Sequence, residues 1–124
     1  MSLETPMHRV QGFGSAHSGT QHFWRQRITA VALIPLSIWF GVSALGLVGA
    51  RETDVLNFFH HPWNAGLMGM FVVIMLIHMM IGLQSVIDDY VYTAGWKLVC
   101  LLLNRAFALV IGVACLLALL QIAL

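Results

Sequence analysis

The stretch His78-Met-Met-Ile-Gly-Leu-Gln-Ser-Val-Ile-Asp-Asp-Tyr90 opens on a single histidine inside an apolar run. It closes on two acids and a tyrosine where that run stops. Read as an α-helix, it places Asp89 about three turns and 20° beyond His78, roughly 16 Å further along the axis. Gly82 and Ser85 fall on the same stripe. One face thus carries an imidazole at depth, two small residues, and a carboxylate beside a phenol at its end. Such a face suits a buried cofactor with a second ligand nearer to water.

The surroundings of this stretch are strongly apolar. Of 124 residues, 60% are hydrophobic and 9% charged, against roughly 25% charged in an average soluble domain. A chain this short cannot hide so much apolar surface by itself in water. Three runs, 28–50, 64–87 and 98–124, are long enough to cross a bilayer, which needs about 20 apolar residues each. The expected fold is therefore an all-α membrane protein of three transmembrane helices, forming part of a hetero-oligomeric helical bundle. Residues 21–124 make the anchor domain, and residues 1–20, rich in Gly, Ser and His, read as a flexible arm. With one arginine, Arg9, that arm is a poor match to a transit peptide. Pro35 is expected to kink the first helix, and Pro62 to stand near the start of the second. The link from Arg51 to Trp63 reads as polar, and that from Asp88 to Lys97 as short.

Basic residues set the orientation. Arg9, Arg25, Arg27, Lys97 and Arg105 lie on one side and Arg51 alone on the other. The amino terminus and the Asp88–Lys97 link are accordingly expected in the cytoplasm, or its topological equivalent. Trp24, Tyr90, Tyr92 and Trp96 would form the inner aromatic belt and Trp63 part of the outer one. A formal net charge of only +1 speaks against nucleic acid as a partner. Cys100 and Cys115, on one helix about 22 Å apart, are too distant for a disulfide and read as small apolar fillers. Ala108 with Gly112, and Ala114 with Ala118, give the small-xxx-small spacing of close helix packing.

Few groups here can carry chemistry. His78 lies deep in a hydrophobic run, where an ionisable residue is costly and marks function by default. A neutral buried imidazole suits a metal or haem axial ligand, although a histidine bonded to a neighbouring helix is the bland alternative. The other histidines fall outside the apolar runs, so a bis-histidine haem needs an imidazole from a second subunit. Arg27 can anchor the first helix at the positive side or pair with an anion such as a haem propionate. Asp88, Asp89 and Tyr90 stand at the inner mouth of the second helix, where acids gain nothing from the helix dipole. A phenol beside a carboxylate can donate to a carbonyl and supply protons, as quinone reduction requires. The methionines of the second run, Met68, Met70, Met75, Met79 and Met80, read as adaptable filler.

His78-x10-Asp89-Tyr90 resembles the second-helix signature of the smaller of the two hydrophobic membrane anchors of succinate dehydrogenase (succinate:quinone oxidoreductase, complex II). Ser18-Gly-Thr-Gln-His-Phe-Trp-Arg-Gln-Arg-Ile-Thr-Ala30 resembles the approach to the first helix of the same family. The likeness covers residues 18–124. It implies that His78 is one axial ligand to haem b, the other coming from the larger anchor subunit. It implies further that Arg27 lies near the haem propionates, and that Tyr90 and Asp89 contribute to a ubiquinone site. Partners would be the larger anchor, the iron–sulfur subunit, the flavoprotein and membrane lipid. The setting would be the bacterial inner membrane or the mitochondrial equivalent, in the respiratory chain, and the subunit would have no activity alone. Gln21-His22 departs from relatives that carry His-Asp there, so no role passes to His22. Three rivals remain at this point. One is a cofactor-free structural or assembly module, another the anchor of a fumarate reductase, and the third a transporter half with Asp89 and Arg105 lining a path.

Overall fold

The structure is a computed structural model that describes residues 3, 5–7 and 18–124. The expected arm therefore lies outside the described residues except for 3, 5–7 and 18–20. From residue 18 onward the chain forms four helices and no strand: α1 (Ser18–Gly46), α2 (Glu52–His60), α3 (Pro62–Tyr90) and α4 (Ala94–Ala123). Three of them, α1, α3 and α4, are long and apolar enough to cross a membrane. The expectation of an all-helical, three-span protein holds.

The ends of the spans differ from the sequence reading. α1 begins ten residues before Ile28, because hydropathy marks the part of a helix that lipid covers and not its hydrogen bonding. No proline or further glycine interrupts Thr20–Ile34, so the helix continues through polar residues. It also runs past Pro35 to Gly46, where Leu47 N–H still donates to Ser43 O at 3.1 Å. Gly49 then takes φ +77°, a left-handed setting that suits glycine, and the chain turns. At 29, 29 and 30 residues, the long helices measure about 44 Å by helical rise. That exceeds a hydrocarbon core of about 30 Å, so their ends reach interfacial depth or the helices tilt.

The link after Gly49 is not merely polar, as expected from sequence, but contains α2. Its start is held by Asp54, whose carboxylate accepts from the Arg51 backbone N–H at 3.2 Å. Glu52 and Asp54 in the first turn also suit the helix dipole. Phe58 of α2 stacks on Trp39 of α1, with ring centroids 6.3 Å apart. His61 separates α2 from α3, and Pro62 occupies the first turn of α3, where its missing N–H costs nothing.

α3 is the middle helix. α1 packs on one flank and α4 on another, and α1 and α4 make no close backbone approach among the described residues. Phe40 and Phe71 stack at 4.9 Å between α1 and α3. Between α3 and α4, a Cβ added at Gly112 would stand 3.2 Å from Leu76 Cδ1, so this glycine permits a close approach. Ala108 and Gly112 thus face α3, whereas Ala114 and Ala118 are exposed. Of the large apolar residues described, only Leu36, Leu76 and Ile81 are buried. Such an outward-facing apolar surface suits cover by lipid or by neighbouring helices.

Candidate haem-ligand cleft

His78 meets α1 through Thr29. Its Nδ1 lies 3.0 Å from Thr29 Oγ1. The same hydroxyl is 2.7 Å from Arg25 O and 3.1 Å from Gln26 O. A threonine hydroxyl has one proton to donate but can also accept. With that proton on the nearby Arg25 carbonyl, the bond to His78 forms when Nδ1–H donates to Oγ1. Nε2 then keeps its lone pair. This is the arrangement of a metal-ligating histidine whose other ring nitrogen is held by a partner in the protein.

Around this contact α1 and α3 run antiparallel with matched stripes. Gly82 lies against Gln26, since a Cβ there would stand 3.5 Å from Gln26 Nε2. His78 and Ser85, from α3, line a cleft of about 360 Å³ with Gly19, His22, Phe23, Gln26, Arg27 and Ala30 of α1. His22 Nε2 and Gln26 Oε1 are buried there without a hydrogen-bond partner. Ser85 donates to Ile81 O at 3.2 Å within its own helix and keeps its oxygen available as an acceptor. Arg27 is exposed and carries its guanidinium 5.0 Å from the centre of the Phe23 ring, a cation–π contact.

Two site residues anticipated from sequence, His78 and Arg27, are thus brought to one cleft. Asp89 and Tyr90 are not among its lining residues. They end α3 in exposed positions, Tyr90 with 77% of its surface open. Asp88 is engaged, with its carboxylate 3.0 Å from Lys97 Nζ across the short link. Asp89 is left as the open carboxylate of the pair.

The placing of His22 corrects the sequence reading. It does not precede the first helix but lies within it and faces the cleft. Even so, it cannot share an ion with His78. His22 is seven residues before Thr29, about 10 Å along the helix. Ligand nitrogens on opposite sides of one ion stand about 4 Å apart, given metal–imidazole bonds of about 2 Å. Among the described residues no three His, Cys, Asp or Glu gather as a metal site. Among the described residues, only His78 would be available to an iron at this point.

Thr29 and Gln26 escaped the sequence reading, although a signal existed. His22, Gln26 and Thr29 have the same i, i+4, i+7 spacing as His78, Gly82 and Ser85, and two such stripes can face each other along packed helices. A further residue was missed altogether. Asn104 of α4 is buried, 7% exposed, and its Nδ2 donates to Met80 O at 2.8 Å.

Comparisons with known proteins agree with this picture. A model of the succinate dehydrogenase/fumarate reductase transmembrane subunit family matches residues 1–120. The succinate dehydrogenase hydrophobic membrane anchor subunit of Paracoccus denitrificans is 36% identical over 90 residues, which is 73% of this chain and 70% of that protein. The subunit of the same name from Rickettsia bellii is 32% identical over 67% of this chain and 66% of its own length. That of Rickettsia conorii is 28% identical over 90% of this chain and 89% of its own. No solved structure matches at a comparable level. With a family match spanning nearly the whole chain and relatives of one description, the chain belongs to the succinate dehydrogenase/fumarate reductase transmembrane subunit family, among the membrane anchors of succinate dehydrogenase.

Proposed function

We propose that this anchor holds one face of a haem b through His78 and lends Tyr90 and Asp89 to a quinone site. The observation that carries the reading is the Thr29–His78 contact of 3.0 Å. With the Thr29 proton on Arg25 O, it supports the imidazole tautomer that leaves Nε2 free to ligate, in a cleft lined by a cation and by unpartnered polar atoms. A haem bound there supplies a one-electron redox centre within the membrane. A second imidazole would come from the larger anchor subunit. Arg27, on the cleft's rim, suits a propionate carboxylate, which a guanidinium can bind through two parallel hydrogen bonds.

At the end of α3 the chain's own groups have separate tasks. Asp88 pairs with Lys97 and steadies the α3–α4 link. Tyr90 donates its phenolic hydrogen bond to a quinone carbonyl, and Asp89 delivers protons to the reduced oxygens. The flavoprotein oxidises succinate and the iron–sulfur subunit conducts its electrons towards ubiquinone. These partners and the larger anchor also complete the quinone pocket. The basic end of the bundle, which holds Arg25, Arg27 and Lys97, faces the cytoplasm. The mitochondrial counterpart is the matrix.

The test is a reduced-minus-oxidised spectrum of the purified complex. A six-coordinate b-type haem is expected to disappear in His78→Ala and to persist in Asp89→Asn. Haem retained at full occupancy in His78→Ala would place the ligand elsewhere and leave His78 as a packing residue.

A further inference from the structure

Asn104 is an expensive residue in its position. It is buried on a membrane-spanning helix, and its Oδ1 has no hydrogen-bond partner. An unsatisfied amide oxygen in apolar surroundings opposes folding and calls for a compensating role. Its Nδ2 has one, donating to Met80 O on α3 at 2.8 Å. Around it the α3–α4 contact is apolar, formed by residues such as Val73, Leu76, Ile77, Ala108, Leu109 and Gly112. Apolar surfaces of this kind restrain sliding and rotation weakly, as lipid chains offer much the same environment. Among the described residues, and apart from the exposed Asp88–Lys97 ion pair beside the link, the Asn104–Met80 bond is the one side-chain hydrogen bond joining α3 to α4. A single buried asparagine sets register in a coiled coil in the same way, at a cost in stability.

Met80 lies two residues beyond His78, about 200° around the helix. α3 is therefore gripped at one level from two flanks, by Thr29 through His78 and by Asn104 through the Met80 carbonyl. We propose that Asn104 is the positioning residue of the ligand helix: by holding Met80 O it sets the rotation and register of α3, and so the aim of His78 Nε2. This rests on the reading of His78 as a haem ligand.

The experiment uses the whole purified complex with two variants. Asn104→Leu keeps about the same volume and removes the donor, whereas Asn104→Gln keeps the amide. In each, the haem-to-flavin ratio, the low-spin electron paramagnetic resonance signal and the haem midpoint potential are measured. The leucine variant is expected to retain haem while its largest g-value and its potential move, and the glutamine variant to stay near the parent. A purely structural asparagine would lower thermal stability and leave both signals in place, and that result overturns the proposal. Should the leucine variant fail to assemble, the same measurements on Asn104→Ala decide in the same way. Haem surviving in His78→Ala would overturn the underlying ligand assignment, whatever the Asn104 variants show.

Discussion

Replacing Thr29 by valine probes the ligand cleft with the least change of shape. The two side chains are nearly isosteric, so the substitution removes one hydroxyl and little else. In the parent that hydroxyl lies 3.0 Å from His78 Nδ1 and, with its own proton on Arg25 O at 2.7 Å, accepts from the ring N–H. Valine leaves the imidazole N–H in a partly buried site without its partner, which costs about 1–3 kcal/mol. Part of that cost is avoided if the ring changes tautomer or turns, but either escape misdirects Nε2. Losing a partner that orients a metal ligand commonly weakens metal binding by about 10–100-fold, or about 1.4–2.8 kcal/mol at 1.4 kcal/mol per tenfold. The two routes give the same size of effect. The assay is haem content per flavin in the purified complex, followed during extended washing with a haem-scavenging protein. Thr29→Val is expected to lose haem faster and to show a displaced α-band, and Thr29→Ser to resemble the parent. Full haem retention and an unchanged spectrum in Thr29→Val would refute the tautomer argument, since no other described residue holds Nδ1.

Three further outcomes are expected. Tyr90→Phe should slow quinone reduction roughly tenfold, about the worth of one hydrogen bond, while succinate oxidation by an artificial dye stays near the parent rate. Equal loss of both activities would indicate an assembly defect instead. Asp88→Asn and Asp89→Asn should separate in the same pair of assays. The Asp88–Lys97 pair is about a third to a half exposed and contributes at most about 1 kcal/mol, so Asp88→Asn should be nearly silent, whereas Asp89→Asn should impair quinone reduction. Finally, Gly112→Val should lower the thermal inactivation temperature of the complex and its yield, because even the first added carbon meets Leu76 Cδ1 at 3.2 Å. A wild-type melting profile would show that α3 and α4 are not held as close as described.

The spans were legible because lipid imposes a blunt rule, which each long apolar run obeys. The ends were not, since a helix continues for as long as nothing breaks it. Reading α1 from Ile28 instead of Ser18 removed His22 and Gln26 from the helix, and with them the stripe that faces His78. α2 was hidden for a different reason. Nine residues are too few to show a convincing helical period, and its aromatic contacts depend on where the neighbouring helices run. Asn104 was hidden among leucines beside Arg105, and only its partner on α3 gives it meaning. Asp88 and Lys97 were visible as opposite charges across a short link. Which of the two acids Lys97 would take was a matter of geometry.

The position of α3 bears on the proposed sites, because His78, Asp89 and Tyr90 all lie on this helix. Among the described residues it is the one long helix packed against both of the others, so its rotation is restrained from two directions, while α1 meets α3 alone of the long helices and α4 meets α3 and the short α2. A ligand must be aimed to within about 0.5 Å, and a helix packed between two others is held from both sides. The outer helices then act as supports, with Thr29 and Asn104 each contributing one polar contact at the level of His78. The same geometry gives His78 one side-chain hydrogen-bond partner among the described residues, Thr29. Were a metal held by His78, no cluster of His, Cys, Asp or Glu among the described residues would stand ready to complete its ligand set. Under the proposed reading, a partner that supplied a second ligand would also cover part of the apolar surface left outside the three helices.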